Sequence, residues 1–554
     1  LGGDNYRIGM GGASVSSTDT GKYSSGIELN AVQRSNPEMQ KRVANTIRAF
    51  VELDDNPIVS IHDHGAGGHL NCLSELVEQT GGIIDLDSLP IGDQTLSFKE
   101  IIGNESQERM GLIIPEKKFS YLKKIADREK APCYKVGIVK KDKKFVVQSK
   151  SSKKSPINLS LSDFFGNSPT TIMRDKTVNI SFSELKYDKN KIYKYLDNVL
   201  TLESVACKDW LTNKVDRCVT GKVAKQQCTG SLQLPLNNCG VMALDYKGKN
   251  GVATSIGHSP ITGIIDPCAG SRNAIGKALT NIIWAPLEKG IKSVTLSANW
   301  MWPCKNPGED VRLYKAVEAC SNFTTKLGIN IPTGKDSLSM KQKYFDKEVL
   351  SPGTVIISAA ANCNNITKVI EPNFKNNRDS IYYINFSGLE PKLGGSALAQ
   401  TFGEIGSDPS DILNGTYFKK IFDILQELIK KDQISSGHDI SSGGFVTSLL
   451  EMCFSENNIG ADIDVSFSQK DIIKTLFCEN VGVIFQASYS VEKTFNSNKI
   501  LYQKIGNVNN TGVLSIKKAD ELYTFNVEKY RDQWFKTSYL LDTSQSGKIK
   551  AKER

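Results

Sequence analysis

One pattern, His-Asp-x-x-x-Gly-Gly, occurs twice in this chain, as His62-Asp63-His64-Gly65-Ala66-Gly67-Gly68 and as His438-Asp439-Ile440-Ser441-Ser442-Gly443-Gly444. The apolar run Pro57-Ile58-Val59-Ser60-Ile61 before the first copy reads as a strand that carries a carboxylate and two imidazoles into a glycine turn. The flanks repeat with it. Leu393-Gly394-Gly395-Ser396-Ala397 echoes the glycine run Gly2, Gly3, Gly9, Gly11, Gly12, and the amphipathic helix expected over 418–431 stands where 39–50 stood. Glu479-Asn480 precedes the apolar run 481–485 as Glu105 precedes 110–114. His62 and His438 are 376 positions apart, Glu105 and Glu479 374, so order and spacing both persist. Residues 1–190 and 380–530 are therefore read as two copies of one domain, with a different domain over 200–372 between them.

The spacing supplies the elements. Asn36 caps a helix with Pro37 at its first position and Val43, Ile47 and Phe50 on one face. A second helix is expected over 70–80 and a strand over 110–114. The lysine- and serine-rich stretch 140–156 reads as a solvated loop. A helix over 189–205 leads to short strands at 232–236, 241–246 and 251–255, the first an edge at best because Pro235 lacks an N–H. A helix over 271–284, a strand over 293–298, a helix over 310–327 and a strand over 354–361 complete an α+β pattern.

Composition excludes several classes. At 554 residues, with 39% apolar and 23% charged side chains, the chain is that of a multidomain globular protein. Its formal charge of +9 sits largely in lysine runs such as Lys140-Lys141-Asp142-Lys143-Lys144, which read as solvated loops, so no nucleic-acid partner is expected. Twelve cysteines without a C-x-x-C pair or zinc spacing read as reduced thiols in the cytoplasm. No membrane span or signal peptide is read. Because the chain opens inside a glycine motif, further sequence is expected upstream.

Asp63 and Asp439, each at a strand end beside a glycine turn, are candidates to hold Mg²⁺ against a nucleotide phosphate, with His62 and His438 orienting them. A His-Asp pair can equally close a turn without chemistry. Thr333-Gly334-Lys335-Asp336-Ser337 offers glycine, a cation, a carboxylate and hydroxyls for phosphate and metal; it lacks the second glycine of a Walker loop, and a plain turn is the competing reading. No Gly-x-Ser-x-Gly or Gly-x-Cys-x-Gly elbow is present, which disfavours covalent hydrolytic chemistry.

Ile61-His62-Asp63 with Gly65 to Gly68, Val32-Gln33-Arg34 with Asn36-Pro37-Glu38, Asn104-Glu105-Ser106-Gln107-Glu108, the run from Leu211 to Arg217, Ser297-Ala298-Asn299-Trp300-Met301-Trp302 and Gly334-Lys335-Asp336-Ser337-Leu338-Ser339-Met340 together resemble the long, single-chain phosphoribosylformylglycinamidine synthase family. The resemblance spans nearly the whole chain. It implies aminoimidazole ribonucleotide synthetase-like domains in C-type, N-type, C-type order, with 531–554 leading toward a glutaminase domain; the first domain and that glutaminase would lie outside this sequence. It implies ATP and Mg²⁺ as cofactors, formylglycinamide ribonucleotide as substrate and ammonia from glutamine, with no nucleic acid or membrane as partner. Carried over, Asp63, Asp336, Asn281 and Asp439 would contact metal. Gly334, Asp336 and Ser441 would bind nucleotide, and Gln33, Glu105, Ser106, Gln107 and Ser337 substrate. At the second copy the sequence departs from the family. Lys277 stands where a metal-binding glutamate is usual and Asn238 where an aspartate is expected, so Asp439 is expected to be structural and Asp63 catalytic. The competing reading is a non-catalytic relative with a structural or regulatory role.

Overall fold

The computed structural model describes residues 1–6, 36–65, 67–105, 108–167, 170, 172–212, 217, 221–344 and 347–553. The glycines from Gly9 to Gly12, Gln33, Ser106, Gln107 and residues 213–216 of the Leu211 to Arg217 motif lie outside them. The chain forms two compact units, one of Leu1–Met173 with Ser339–Leu350, the other of Arg174–Leu338 with Ser351–Arg554. The middle region and the last third thus fold as one body.

In the first unit, α1 (Pro37–Val51) starts as its sequence dictates, Asn36 Oδ1 accepting from the Met39 amide at 3.0 Å. Strand β1 (Ser60–Asp63) leads through the glycine turn into α2 (Gly68–Leu76). It is followed by β2 (Gly82–Asp85), α3 (Phe98–Gly103) and β3 (Met110–Ile113). The antiparallel pair β1–β3 sets Asp63 opposite Met110 and His62 opposite Gly111. A capping box between Ser97 and Glu100 starts α3 and so fixes the entry to the Asn104-Glu105 segment.

The stretch expected to be a solvated loop is instead structured. Strands β4 (Gly137–Val139), β5 (Lys144–Ser149) and β6 (Lys154–Ser160) form with β2 a sheet in the order β4-β2-β5-β6. Its lysines face water while the alternate residues Phe145 and Val147 join a core with Leu73, Ile84, Leu86 and Ile101. Period-two burial, not mean polarity, decides the conformation here.

In the second unit, 189–191 form one 3₁₀ turn, and the helix proper, α4 (Ile192–Leu200), is shorter than expected. Residues 232–236 are a turn closed by a Thr229–Leu234 bridge rather than a strand. Pro235 cannot donate to a ladder, and the Asn237 amide group holds the turn by donating to the Gln226 and Cys228 carbonyls. The strands β7 (Val223–Lys225), β8 (Gly240–Ala243), β9 (Gly251–His258), β10 (Thr295–Met301), β11 (Asn330–Ser337) and β12 (Thr354–Cys363) form a sheet in the order β11-β10-β12-β9-β8-β7. It is covered by α5 (Pro267–Ile282) and α6 (Glu309–Leu327).

The last third adds β13 (Ser380–Asn385), the short helix α7 (Ala397–Thr401), α8 (Gly415–Lys430), β14 (Ile434–Asp439), α9 (Gly444–Phe454), β15 (Gly460–Asp464) and β16 (Gly482–Ala487). Strands β17 (Gln503–Asn509), β18 (Val513–Lys518) and β19 (Glu521–Asn526) complete a seven-stranded sheet in the order β14-β16-β13-β17-β15-β18-β19. The β14–β16 ladder sets Asp439 opposite Val483, as β1–β3 sets Asp63 opposite Met110. Trp284, just past α5, is fully buried against Gly437, where an added Cβ would stand 2.0 Å from the indole.

Phe145→Ala, in the stretch that reads as a loop, is expected to destabilise the first unit by about 3 kcal/mol through loss of core contacts. Chemical denaturation followed by tryptophan-independent circular dichroism measures it; a change near zero would restore the loop reading.

Candidate functional site

Each His-Asp turn is built the same way. Gly67 and Gly68 have φ of 78° and 57°, Gly443 and Gly444 of 94° and 78°, the left-handed region that L side chains avoid. A Cβ at Gly68 would meet the Asn104 carbonyl oxygen at 2.2 Å, and one at Gly444 the Phe477 carbonyl carbon at 2.6 Å. The glycines therefore press the start of a helix against the backbone ahead of Glu105 or Glu479, which fixes a strand end, a helix N-terminus and a glutamate segment around one point.

Both copies also hold a His–Glu pair that the sequence reading overlooked. His62 Nε2 contacts the Glu75 carboxylate, and His438 Nε2 that of Glu451 at 3.0 Å. Glu75 and Glu451 each follow their histidine by 13 residues, so the repeat offset alone marks them. The imidazoles are thus anchored to glutamates on α2 and α9. The aspartate carboxylates lie farther away, Asp63 Oδ1 at 3.5 Å from His62 Nδ1 and Asp439 Oδ1 at 3.8 Å from His438 Nδ1.

Beyond this common frame the copies differ. The Asp63 side chain is 72% exposed. His64, the second imidazole of the motif, turns inward instead of facing the turn's solvent side. Arg109 Nη1 donates to His69 Nε2 at 2.8 Å, so His69 Nδ1 carries the proton and donates to His64 Nε2 at 2.8 Å. Arg109 Nη2 donates in addition to Asn5 Oδ1 at 2.8 Å. Burial, and then the Arg109 charge, push the His64 pKa down to about 3, and the same causes lower that of His69. This neutral relay supports the turn from behind; no spacing in the sequence announces His69 or Arg109 as its members.

In the second unit Asp439 is buried. Asn281 Nδ2 donates to Asp439 Oδ2 at 3.3 Å, bringing together two of the expected metal contacts. Asn238 donates to the Gly437 carbonyl at 2.9 Å and its Oδ1 faces His438 Nδ1, so it holds the histidine. Glu479 Oε1 accepts from the amides of Ala397 at 2.8 Å and Gly443 at 2.9 Å, occupying the N-termini of α7 and α9. Burial raises the Asp439 pKa against the pull of His438 and Lys277, and raises that of Glu479 against Lys277. Ser441 is half-buried at the start of the turn, its carbonyl accepting from the Gly444 amide at 3.1 Å.

The remaining expected residues are placed separately. Gly334, Asp336 and Ser337 lie on β11, the edge strand paired parallel to β10, with Gly334 opposite Ala298 and Asp336 opposite Trp300. Gly334 and Asp336 are exposed and Ser337 half-buried. A Cβ at Gly334 would stand 2.1 Å from the Ala298 carbonyl oxygen, which explains the glycine. Glu105 is buried in the first unit. Among the described residues no group of three or more His, Cys, Asp or Glu side chains is arranged to hold a metal by itself, and no helix is long and apolar enough to cross a membrane. All eleven described cysteines are unbridged.

Two turn-bearing α+β segments flanking a differently folded sheet domain define the class to which this arrangement belongs, that of duplicated aminoimidazole ribonucleotide synthetase-like proteins. Residues 1–150 and 381–518 match the family described as AIR synthase related protein, C-terminal domain, and residues 207–362 match the FGAR-AT PurM_N-like domain. The chain belongs to the AIR synthase-related family. It is 35% identical over 98% of its length to a probable phosphoribosylformylglycinamidine synthase of Arabidopsis thaliana, 35% over 99% to the Homo sapiens synthase and 37% over 98% to that of Dictyostelium discoideum. It spans only 40% to 43% of the length of these relatives. Among solved structures, T. maritima PurL complexed with FGAR superposes with a TM-score of 0.62 at 17% identity, covering 92% of this chain and 70% of that one. T. maritima PurL complexed with ATP gives 0.58 at 16%, covering 92% and 72%; these likenesses speak to the fold.

The His438 pKa supplies a pH test. Burial alone would lower it, but the hydrogen bond and charge of Glu451, helped by Asp439, hold it above the ordinary value. A histidine raised on folding contributes stability that is complete below the unfolded pKa of about 6.5 and is lost as pH rises through the folded one. The unfolding free energy should therefore decline above pH 6.5, and Glu451→Gln should flatten that decline. Urea titrations between pH 6 and 9 decide it, an unchanged slope in the variant counting against the pair.

Proposed function

We propose that the chain is the central part of a phosphoribosylformylglycinamidine synthase, which uses ATP and ammonia from glutamine to convert formylglycinamide ribonucleotide to the amidine in purine biosynthesis. The observation that carries the reading is the match of nearly all of this chain to part of such synthases, combined with an exposed carboxylate, Asp63, at a strand end beside a left-handed glycine pair. In this reaction ATP phosphorylates the formamide oxygen; ammonia then adds to the carbon and the oxygen leaves as phosphate. Little covalent chemistry falls to the protein, whose work is positioning and charge stabilisation.

The residues of the first unit suit Mg²⁺. Magnesium is commonly held by one or two carboxylates together with phosphate oxygens and water, and Asp63 offers an exposed carboxylate of that kind. Bound there, the ion would offset phosphate charge. Of the metal contacts expected from the sequence, Asp63, Asp336, Asn281 and Asp439, the proposed roles keep Asp63 and Asp336; Gly334 and Asp336 contact the nucleotide. Glu105, Ser106, Gln107, Gln33 and Ser337 contact the substrate. The same reading divides the chain into domains at 1–190, 200–372 and 380–530, with 531–554 leading on to the domain that supplies ammonia, and places the enzyme in the cytoplasm.

Asp63→Ala in the full-length synthase should abolish ADP release with ammonium, ATP, Mg²⁺ and formylglycinamide ribonucleotide. Because the side chain is exposed, stability should change by no more than about 0.5 kcal/mol. Turnover within a few-fold of the parent would remove the metal role.

A further inference from the structure

The second unit carries both its cation and its anion as side chains. Lys277 and Asn281 stand one turn apart on α5 and share a face, with Asn281 Nδ2 donating to the Lys277 carbonyl at 2.8 Å as well as to Asp439. Lys277 is only 8% exposed, and no described residue accepts a hydrogen bond from its ammonium. Its electrostatic partners are Asp439, Glu479 and, repulsively, His258. An ammonium has three N–H donors and no lone pair, so it cannot ligate a metal, and its charge repels one. The position at the α7 and α9 amides, where an anion would sit, is already filled by Glu479.

The donor set therefore does not fit Mg²⁺. We infer that Lys277 is the resident cation of this buried cluster and Glu479 its resident anion, so that the second His-Asp turn takes no divalent metal and works as an internal electrostatic clasp between α5, β14 and the helix N-termini. Lys277 supplies the charge that a metal would otherwise bring to Asp439, and Asn281 fixes the carboxylate on the same helix face. The inference concerns the second unit alone and holds whether or not turnover depends on Asp63.

Mn²⁺, a Mg²⁺ surrogate, is titrated into the folded 554-residue chain and its variants, with free ion read by electron paramagnetic resonance. The parent and Asp439→Asn should bind the same number of ions per chain; loss of one ion in Asp439→Asn overturns the inference. Lys277→Glu, and Lys277→Gln as the milder change should the glutamate fail to fold, should each gain one ion, and adding Asp439→Asn should cancel the gain. If the folded Lys277 variants bind no more Mn²⁺ than the parent, lysine is not what excludes the metal and the inference fails. An Asp63→Ala arm reports on the first unit separately, so that the two sites are judged independently.

Discussion

Everything at the two turns depends on a pair of consecutive residues with positive φ, the second of which has no room for a Cβ against the neighbouring backbone. Gly67-Gly68 and Gly443-Gly444 let the chain leave a strand and enter a helix while the helix start lies against another backbone segment, with carbonyl atoms within 2.2 to 2.6 Å of where a Cβ would be. An alanine at Gly68 or Gly444 would meet both left-handed strain and a backbone clash, and backbone cannot step aside as a side chain can. The strand end, the helix amides and the glutamate segment are thereby brought to one point before any ligand or charge is considered.

On this shared frame the His–Glu pairs act as struts. His62 to Glu75 and His438 to Glu451 tie the strand bearing the aspartate to the helix that follows, so the aspartate's backbone is held without spending its carboxylate. Where that carboxylate points into water it keeps its coordination capacity. Where it is buried it must be compensated from within, because an ionised carboxylate loses several kcal/mol of hydration unless charges and hydrogen bonds replace it.

The repeat and its principal elements were legible because the two periodicities are local: the Asn36 cap, the 3.6-residue face of α8 and the apolar runs that became β3 and β16 lie where the sequence puts them. The stretch 140–156 misled because its lysines dominate the composition while the alternate residues Phe145, Val147 and Ser149 face inward. Burial is decided by alternation against a neighbouring strand, β2, that is distant in sequence. The candidate site was legible in part for the same reason. Asp63 and Asp439 sit in motifs, Lys277 stood out as a departure from the family, and Glu75 and Glu451 could have been found from the repeat offset. His69 and Arg109 could not, since the relay joining them exists only once β1, α2 and β3 are packed together.

Divergence between the copies also follows from charge. A lysine beside an exposed aspartate would change little, because water screens both groups and their pairing is weak. Beside a buried aspartate and a buried glutamate the same lysine counts for more, because water no longer screens its charge. On the inference drawn above, the second copy holds the fold and the first keeps Asp63 as the exposed carboxylate of the pair.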